Sequence, residues 1–69
     1  MKWTVCINNE GYEASLERRK IYQVVADTKA ENKGMVRVID ESGDEYLYNA
    51  KMFEEIEIAR VLEQQLMAA

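Results

Sequence analysis

The sequence contains no proline and no histidine, and it has a single cysteine, Cys6. Without histidine the chain lacks the usual general base near neutral pH, the commonest transition-metal ligand and any Ser–His or Cys–His nucleophile pair. One cysteine excludes an internal disulfide and is typical of a reducing compartment. We therefore expect a protein that is not an enzyme, that carries no metal or cofactor, and that resides in the cytoplasm.

Long apolar runs and an excess of positive charge are also missing. No apolar stretch approaches the ~20 residues that a membrane-spanning helix needs, and the N-terminal apolar run is too short for a signal peptide. Nine lysine and arginine residues stand against thirteen acidic residues, which gives a net charge of −4. An acidic protein repels the phosphate backbone of nucleic acids at long range. These features argue against a membrane partner and against a nucleic-acid partner.

What the chain does contain is a series of short β-strand patterns. Its 69 residues allow one domain with a small core. The segment 28–34 is predicted as a polar loop and residues 49–52 as a short turn. A small barrel is the natural way to remove the edges of such a sheet. Alternating or β-branched stretches predict five strands, at residues 2–8, 20–27, 35–40, 45–49 and 53–58.

The alternation also predicts which side chains form the core. In the first strand Val5 and Ile7 share one face with Trp3, while Cys6 lies on the other face as a half-buried structural thiol. In the polar excursion that follows, Leu16 is expected to fold inward. The residues predicted to be buried are Val5, Ile7, Val24, Val36, Val38 and Phe53.

Four carboxylates crowd six positions around Gly43: Asp40, Glu41, Asp44 and Glu45. One interpretation is a cation site, because hard ions prefer several oxygen ligands. However, the spacing does not fit an EF-hand loop, and neighbouring residues at strand ends point to opposite faces. The alternative is a solvated hairpin tip, in which glycine supplies a positive φ. The sequence predicts the hairpin.

Aromatic residues offer a first candidate partner surface. Tyr46 and Tyr48 share a strand face opposite Leu47. Together with Tyr12 and Trp3 they could form a shallow groove of the kind that holds peptides. Alternatively the rings, including that of Tyr12, fold inward and fill the core while their hydroxyls reach its rim. The sequence leaves both interpretations open.

A single basic run, "ERRK" at residues 17–20, offers a second candidate. Arg18, Arg19 and Lys20 would support a weak nucleic-acid-associated function, the alternative to protein binding. Three cations without glycine-rich or aromatic interleaving make a thin patch. A solvated turn before a strand explains the run equally simply, and we favour it.

The tail at residues 59–69 differs in kind from the preceding barrel, predicted at residues 1–58. Ile58, Val61, Leu62 and Leu66 fall at the spacing of one helix face. This apolar stripe can cover its own barrel, or it can meet the same stripe of a second copy across a two-fold axis. We expect pairing, because a barrel of about 55 residues already has a closed core.

The string "RVIDESGDEYLYNAKMF" at residues 37–53, preceded by "RKIYQVVAD", resembles a family of small uncharacterised bacterial proteins. Their pattern reads R-V-I-D-E-S-G-E-D-Y-L-Y-P-A-x-x-F. The resemblance covers most of residues 3–58 and implies an SH3-like barrel without an assigned activity. This chain departs from the family pattern at two positions: Arg19, where the family tends to have glycine, and Asn49, where it tends to have proline.

The wider SH3 pattern can be aligned with the end of the chain, so that "YLYNAKMFEEI" matches G-L-F-P-S-N-Y-V-E-E-I. The resemblance then puts the proline-recognising residues at Asn49, Met52 and Met35, where none of the family's residue types is retained. We therefore do not expect recognition of proline-rich peptides. The sequence predicts a non-enzymatic protein-interaction or structural module that binds an unidentified protein or pairs with itself. The proposed partner surface comprises Tyr12, Tyr46, Tyr48, Val61, Leu62 and Leu66.

Overall fold

A computed structural model describes residues 2–67 and shows a single five-stranded antiparallel sheet with strand order β4-β3-β2-β1-β5. It confirms the predicted all-β fold, a small barrel-like sheet followed by a short C-terminal helix. Met1, Ala68 and Ala69, which belong to the predicted barrel and tail, lie outside the described residues. The elements are β1 (Lys2–Cys6), β2 (Ile21–Val25), α1 (Thr28–Asn32), β3 (Met35–Ile39), β4 (Glu45–Asn49), a 3₁₀ turn (Ala50–Met52), β5 (Phe53–Ile56) and α2 (Arg60–Met67).

The core lies on the inner face of the sheet. Leu16 from the β1–β2 connection, Val38 and Cys6 are its largest fully buried side chains. Three aromatic residues, Tyr22, Tyr48 and Phe53, complete the cluster. The predicted burial of Val38 and Phe53 is confirmed, and Leu16 folds inward as expected. Val24 and Val36 are only half-buried, and Val36 packs against the cluster.

The inward face of β1 is the opposite of the predicted one. Thr4 and Cys6 are buried, Val5 is only half-buried, and Ile7 is exposed beyond the end of the strand. The prediction that Ile7 is buried is therefore wrong. Cys6 pairs across the sheet with Phe53, and paired residues of antiparallel strands share a face. Trp3 is buried on the outer face.

The segment predicted as a polar loop contains the short helix α1. Asp27 caps this helix by accepting a hydrogen bond from the Ala30 amide at 3.0 Å. The Arg37 side chain donates to the same carboxylate at 2.8 Å. Ala30 is buried against the sheet. Tertiary contacts thus stabilise a helix that would be too short to persist alone.

The acidic segment forms the predicted hairpin turn. β3 and β4 pair from Met35↔Asn49 to Ile39↔Glu45, which leaves residues 40–44 as the connection. Gly43 adopts a φ of 84° there, a conformation that glycine reaches without steric cost.

Candidate interaction surfaces

The three tyrosines of the predicted partner surface have different environments. Tyr48 is 4% exposed and belongs to the core, whereas Tyr46 is 52% exposed near the hairpin turn. Tyr12 is also exposed, contrary to the inward option, and its ring packs edge-on against Tyr48 with centroids 5.2 Å apart. The prediction that Tyr48 belongs to the partner surface is therefore wrong, because this residue is buried. Its ring lies on the inner face because it pairs with Val36, which packs against the core.

Asp40 is a buried acceptor rather than a solvated turn residue. Its carboxylate accepts hydrogen bonds from the Tyr48 hydroxyl at 2.6 Å, from the Ser42 amide at 2.9 Å and from the Ser42 hydroxyl at 2.5 Å. Burial alone would raise the pKa of Asp40, but the hydrogen bonds from Ser42 and Tyr48 outweigh it and leave that pKa lowered. Burial and the neighbouring Asp40 raise the pKa of Tyr48 to about 12.

Glu41 makes a second tyrosine–carboxylate bond beside the first. It accepts from the Tyr22 hydroxyl at 2.5 Å and lies 2.7 Å from the Lys20 ammonium. The hydrogen bond from Lys20, followed by that from Tyr22, lowers the pKa of Glu41. Its amide donates to the Ser15 carbonyl at 3.0 Å. These bonds fasten the long β1–β2 connection to the hairpin turn.

This role of Asp40 and Glu41 is not predictable from the sequence. The hydroxyl donors lie 8 and 19 residues away from their acceptors, and no local pattern marks such pairs. Within residues 2–67, no group of three or more cysteine or acidic side chains is arranged to hold a metal ion.

The basic run presents fewer free cations than its sequence indicates. The Lys20 ammonium contacts Glu41 and also lies 3.9 Å from Glu17. Arg18 and Arg19 are exposed. Arg19 has a φ of 69°, the left-handed conformation that favours glycine, and its amide donates to the Cys6 carbonyl. A glycine at this position would adopt the same conformation without steric cost.

The C-terminal helix α2 carries a set of exposed apolar side chains. Val61 is 69% exposed, Leu62 46% and Leu66 38%, and Met67 is exposed beside them. The helix is nevertheless attached to the sheet, because the indole nitrogen of the buried Trp3 donates to the Glu63 carboxylate at 3.0 Å. The tyrosines and α2 form two separate surfaces, since Trp3 lies on the outer face and Tyr46 on the inner one.

Cys6 is fully buried, and its thiol lies 3.5 Å from the Asn8 carbonyl. Burial raises the pKa of the Cys6 thiol, which disfavours the nucleophilic thiolate.

No helix among the described residues is long and apolar enough to cross a membrane. Compared with known proteins, the chain matches no family model, no curated protein and no solved structure.

Proposed function

We propose that this chain is a non-enzymatic protein-interaction module that pairs with a second copy of itself through α2. The observation that carries the proposal is the exposure of Val61, Leu62 and Leu66 on a helix that is attached to its own sheet. A helix of eight residues is marginal in water without packing. A partner that covers these side chains would stabilise both the helix and the assembly.

The attachment through Trp3 orients the helix for pairing. Successive residues of an α-helix are separated by about 100°, so Val61 lies roughly 200° around the axis from Glu63. When Glu63 faces the indole of Trp3, Val61 points away from the sheet. Leu62 lies about 100° from both residues and extends the exposed stripe at the side of the helix. Val61 and Leu62 therefore face solvent, while Leu66, about 60° from Glu63, lies nearer the sheet.

The strength of the pairing follows from the area that it would bury. Four apolar side chains of α2 are about half exposed: Val61, Leu62, Leu66 and Met67. A fully buried side chain of this kind contributes ~1.5–3 kcal/mol, so covering all four on each copy is worth roughly 8 kcal/mol. The entropic cost of association is at least about 4 kcal/mol. About 4 kcal/mol therefore remains, so we expect a weak dimer with a dissociation constant on the order of 10⁻³ M.

Sedimentation velocity tests the proposal on the full chain at increasing concentration. The wild type should shift from monomer to dimer as the concentration rises through about 10⁻³ M. Leu62→Glu should keep it monomeric, because two carboxylates would be buried at the two-fold axis. Gln64→Glu adds the same charge to α2 outside the stripe and should still dimerise. A wild type that stays monomeric at millimolar concentration would refute the pairing.

Further features support the assignment to an SH3-like module without assigned activity. The strand order β4-β3-β2-β1-β5 and the 3₁₀ turn between β4 and β5 agree with the fold that the motif at residues 37–53 implies. The peptide-binding function of such barrels is not part of the proposal, because Asn49 caps the 3₁₀ turn and Met52 packs against the core. The cytoplasmic location stays a prediction from the single cysteine.

A further inference from the structure

A cavity of ≈ 220 Å³ opens at one end of the barrel, between α1, the 3₁₀ turn and β5. Every strand except β4 contributes to its lining. The volume exceeds the ~150 Å³ of an engineered cavity that binds benzene and is smaller than the ~300–1,000 Å³ pockets that hold drug-sized ligands. The cavity is therefore matched to a small ligand of a few carbon atoms.

The floor of the cavity is apolar. Val24, Val36 and Phe53 contribute side chains from the inner face, and Ala50 contributes a methyl group from the 3₁₀ turn. Thr4 also lines it, but its hydroxyl is satisfied by donating to the Glu54 carbonyl at 2.8 Å. A hydrocarbon chain would thus enter without stripping water from an unpaired polar group.

The charged residues that line the cavity, together with their ion-pair partners, comprise two cations and three carboxylates. The Lys2 ammonium lies 3.8 Å from the Glu31 carboxylate and 3.9 Å from that of Glu55, so two acids share one cation. Arg37 also lines the cavity, but its guanidinium is paired with Asp27 at 2.8 Å. One net negative charge therefore remains at the opening.

We propose that this cavity binds a small organic cation with a hydrocarbon chain, an alkylammonium ligand. The chain would lie against Val36, Phe53 and Ala50, and the ammonium group would join Lys2 between the two rim carboxylates or displace it. The inference goes beyond the pairing function and does not depend on it, because the cavity is lined by residues outside α2.

Amide chemical shifts test the proposal in titrations of the full chain with n-hexylammonium, hexanoate and 1-hexanol. These probes share one chain and differ in head-group charge. Hexylammonium should perturb residues 35–37 and 50–53 with a dissociation constant on the order of 10⁻³ M, as expected for so few atoms. Hexanoate should bind at least tenfold more weakly, and hexanol should lie between them.

Three variants assign the effect to the cavity. Glu31→Gln combined with Glu55→Gln should weaken hexylammonium binding about threefold or more, the effect of losing exposed ion pairs, without changing hexanol binding. Glu54→Gln is the matched control, because it alters the neighbouring residue on the other face of β5. Ala50→Leu should block all three probes by filling the cavity. Equal affinity for hexanoate and hexylammonium, or perturbations centred on α2, would overturn the proposal.

Discussion

Replacing Tyr48 with phenylalanine removes one oxygen atom from the centre of the domain. The ring is buried, and its hydroxyl donates to Asp40 at 2.6 Å. After the substitution Asp40 keeps its two bonds from Ser42, but its second carboxylate oxygen loses its donor inside the fold. The ring packing against Phe53, with centroids 5.9 Å apart, is unchanged.

The expected cost follows from the charge of the acceptor. A hydrogen bond to a charged group contributes ~1.5–3 kcal/mol net, so we expect the free energy of unfolding to fall by about 2 kcal/mol. For a domain of this size each kcal/mol corresponds to roughly 4–8 °C in Tm. Tyr48→Phe should therefore melt about 8–16 °C below the wild type.

Urea denaturation followed by Trp3 fluorescence measures the difference directly. Tyr46→Phe is the control, because that exposed residue lies on the same strand and surface changes usually stay within about 0.5 kcal/mol. A Tyr48→Phe protein as stable as the control would refute the reasoning.

The hydrogen bond between Tyr48 and Asp40 also predicts how the free energy of unfolding depends on pH. The folded-state pKa of Asp40 is lowered, so its contribution is present above the unfolded value near 4 and is lost as pH falls through the folded value. For Tyr48 the folded pKa is raised to about 12, so its contribution is lost as pH rises above its unfolded value near 10. Tyr48→Phe should make the free energy of unfolding depend less steeply on pH in both ranges. An unchanged pH dependence would contradict the hydrogen bond between Tyr48 and Asp40.

Three further substitutions test other parts of the structure. Phe53→Ala should cost about 3–5 kcal/mol because it empties the core, and a fully stable variant would contradict the placement of β5. Arg19→Gly should raise the unfolding free energy by up to about 1 kcal/mol, because it relieves the left-handed conformation, while Arg18→Gly should not; equal effects would remove the conformational explanation. Glu63→Ala should shift Trp3 emission to longer wavelength as the indole meets water, and unchanged emission would show that α2 does not shield Trp3.

Much of the architecture was predictable because strand patterns are local. Alternating or β-branched stretches located all five strands, and the acidic segment around Gly43 predicted the β3–β4 hairpin, which the structure confirms. The helical spacing of Val61, Leu62 and Leu66 predicted α2.

The orientation of β1 was not predictable from its own residues. Trp3, Val5 and Ile7 are more apolar than Thr4 and Cys6, so hydrophobicity alone selects the wrong inward face. The outcome depends on long-range partners: Phe53 beside Cys6, and α2 beside Trp3.

The helix α1 did leave a local signal. Asp27 precedes the segment as a helix N-cap, and Glu31 lies in its first turn, where a carboxylate is favoured. The sequence nevertheless favours a loop at residues 28–34, because seven residues make a poor free-standing helix. The buried Ala30 and the Arg37–Asp27 contact supply the missing stabilisation.

The most direct test of the pairing is a distance measured between two copies. Gln64→Cys introduces an exposed thiol on α2 that can carry a nitroxide label, while Cys6 is fully buried and escapes labelling. Packed helices lie ~8–10 Å apart. Pulsed electron–electron double resonance on a sample near millimolar concentration should therefore give a label separation of roughly 15–30 Å. The dipolar signal should decrease when unlabelled chain is added. A sample without intermolecular dipolar signal at that concentration would contradict the account.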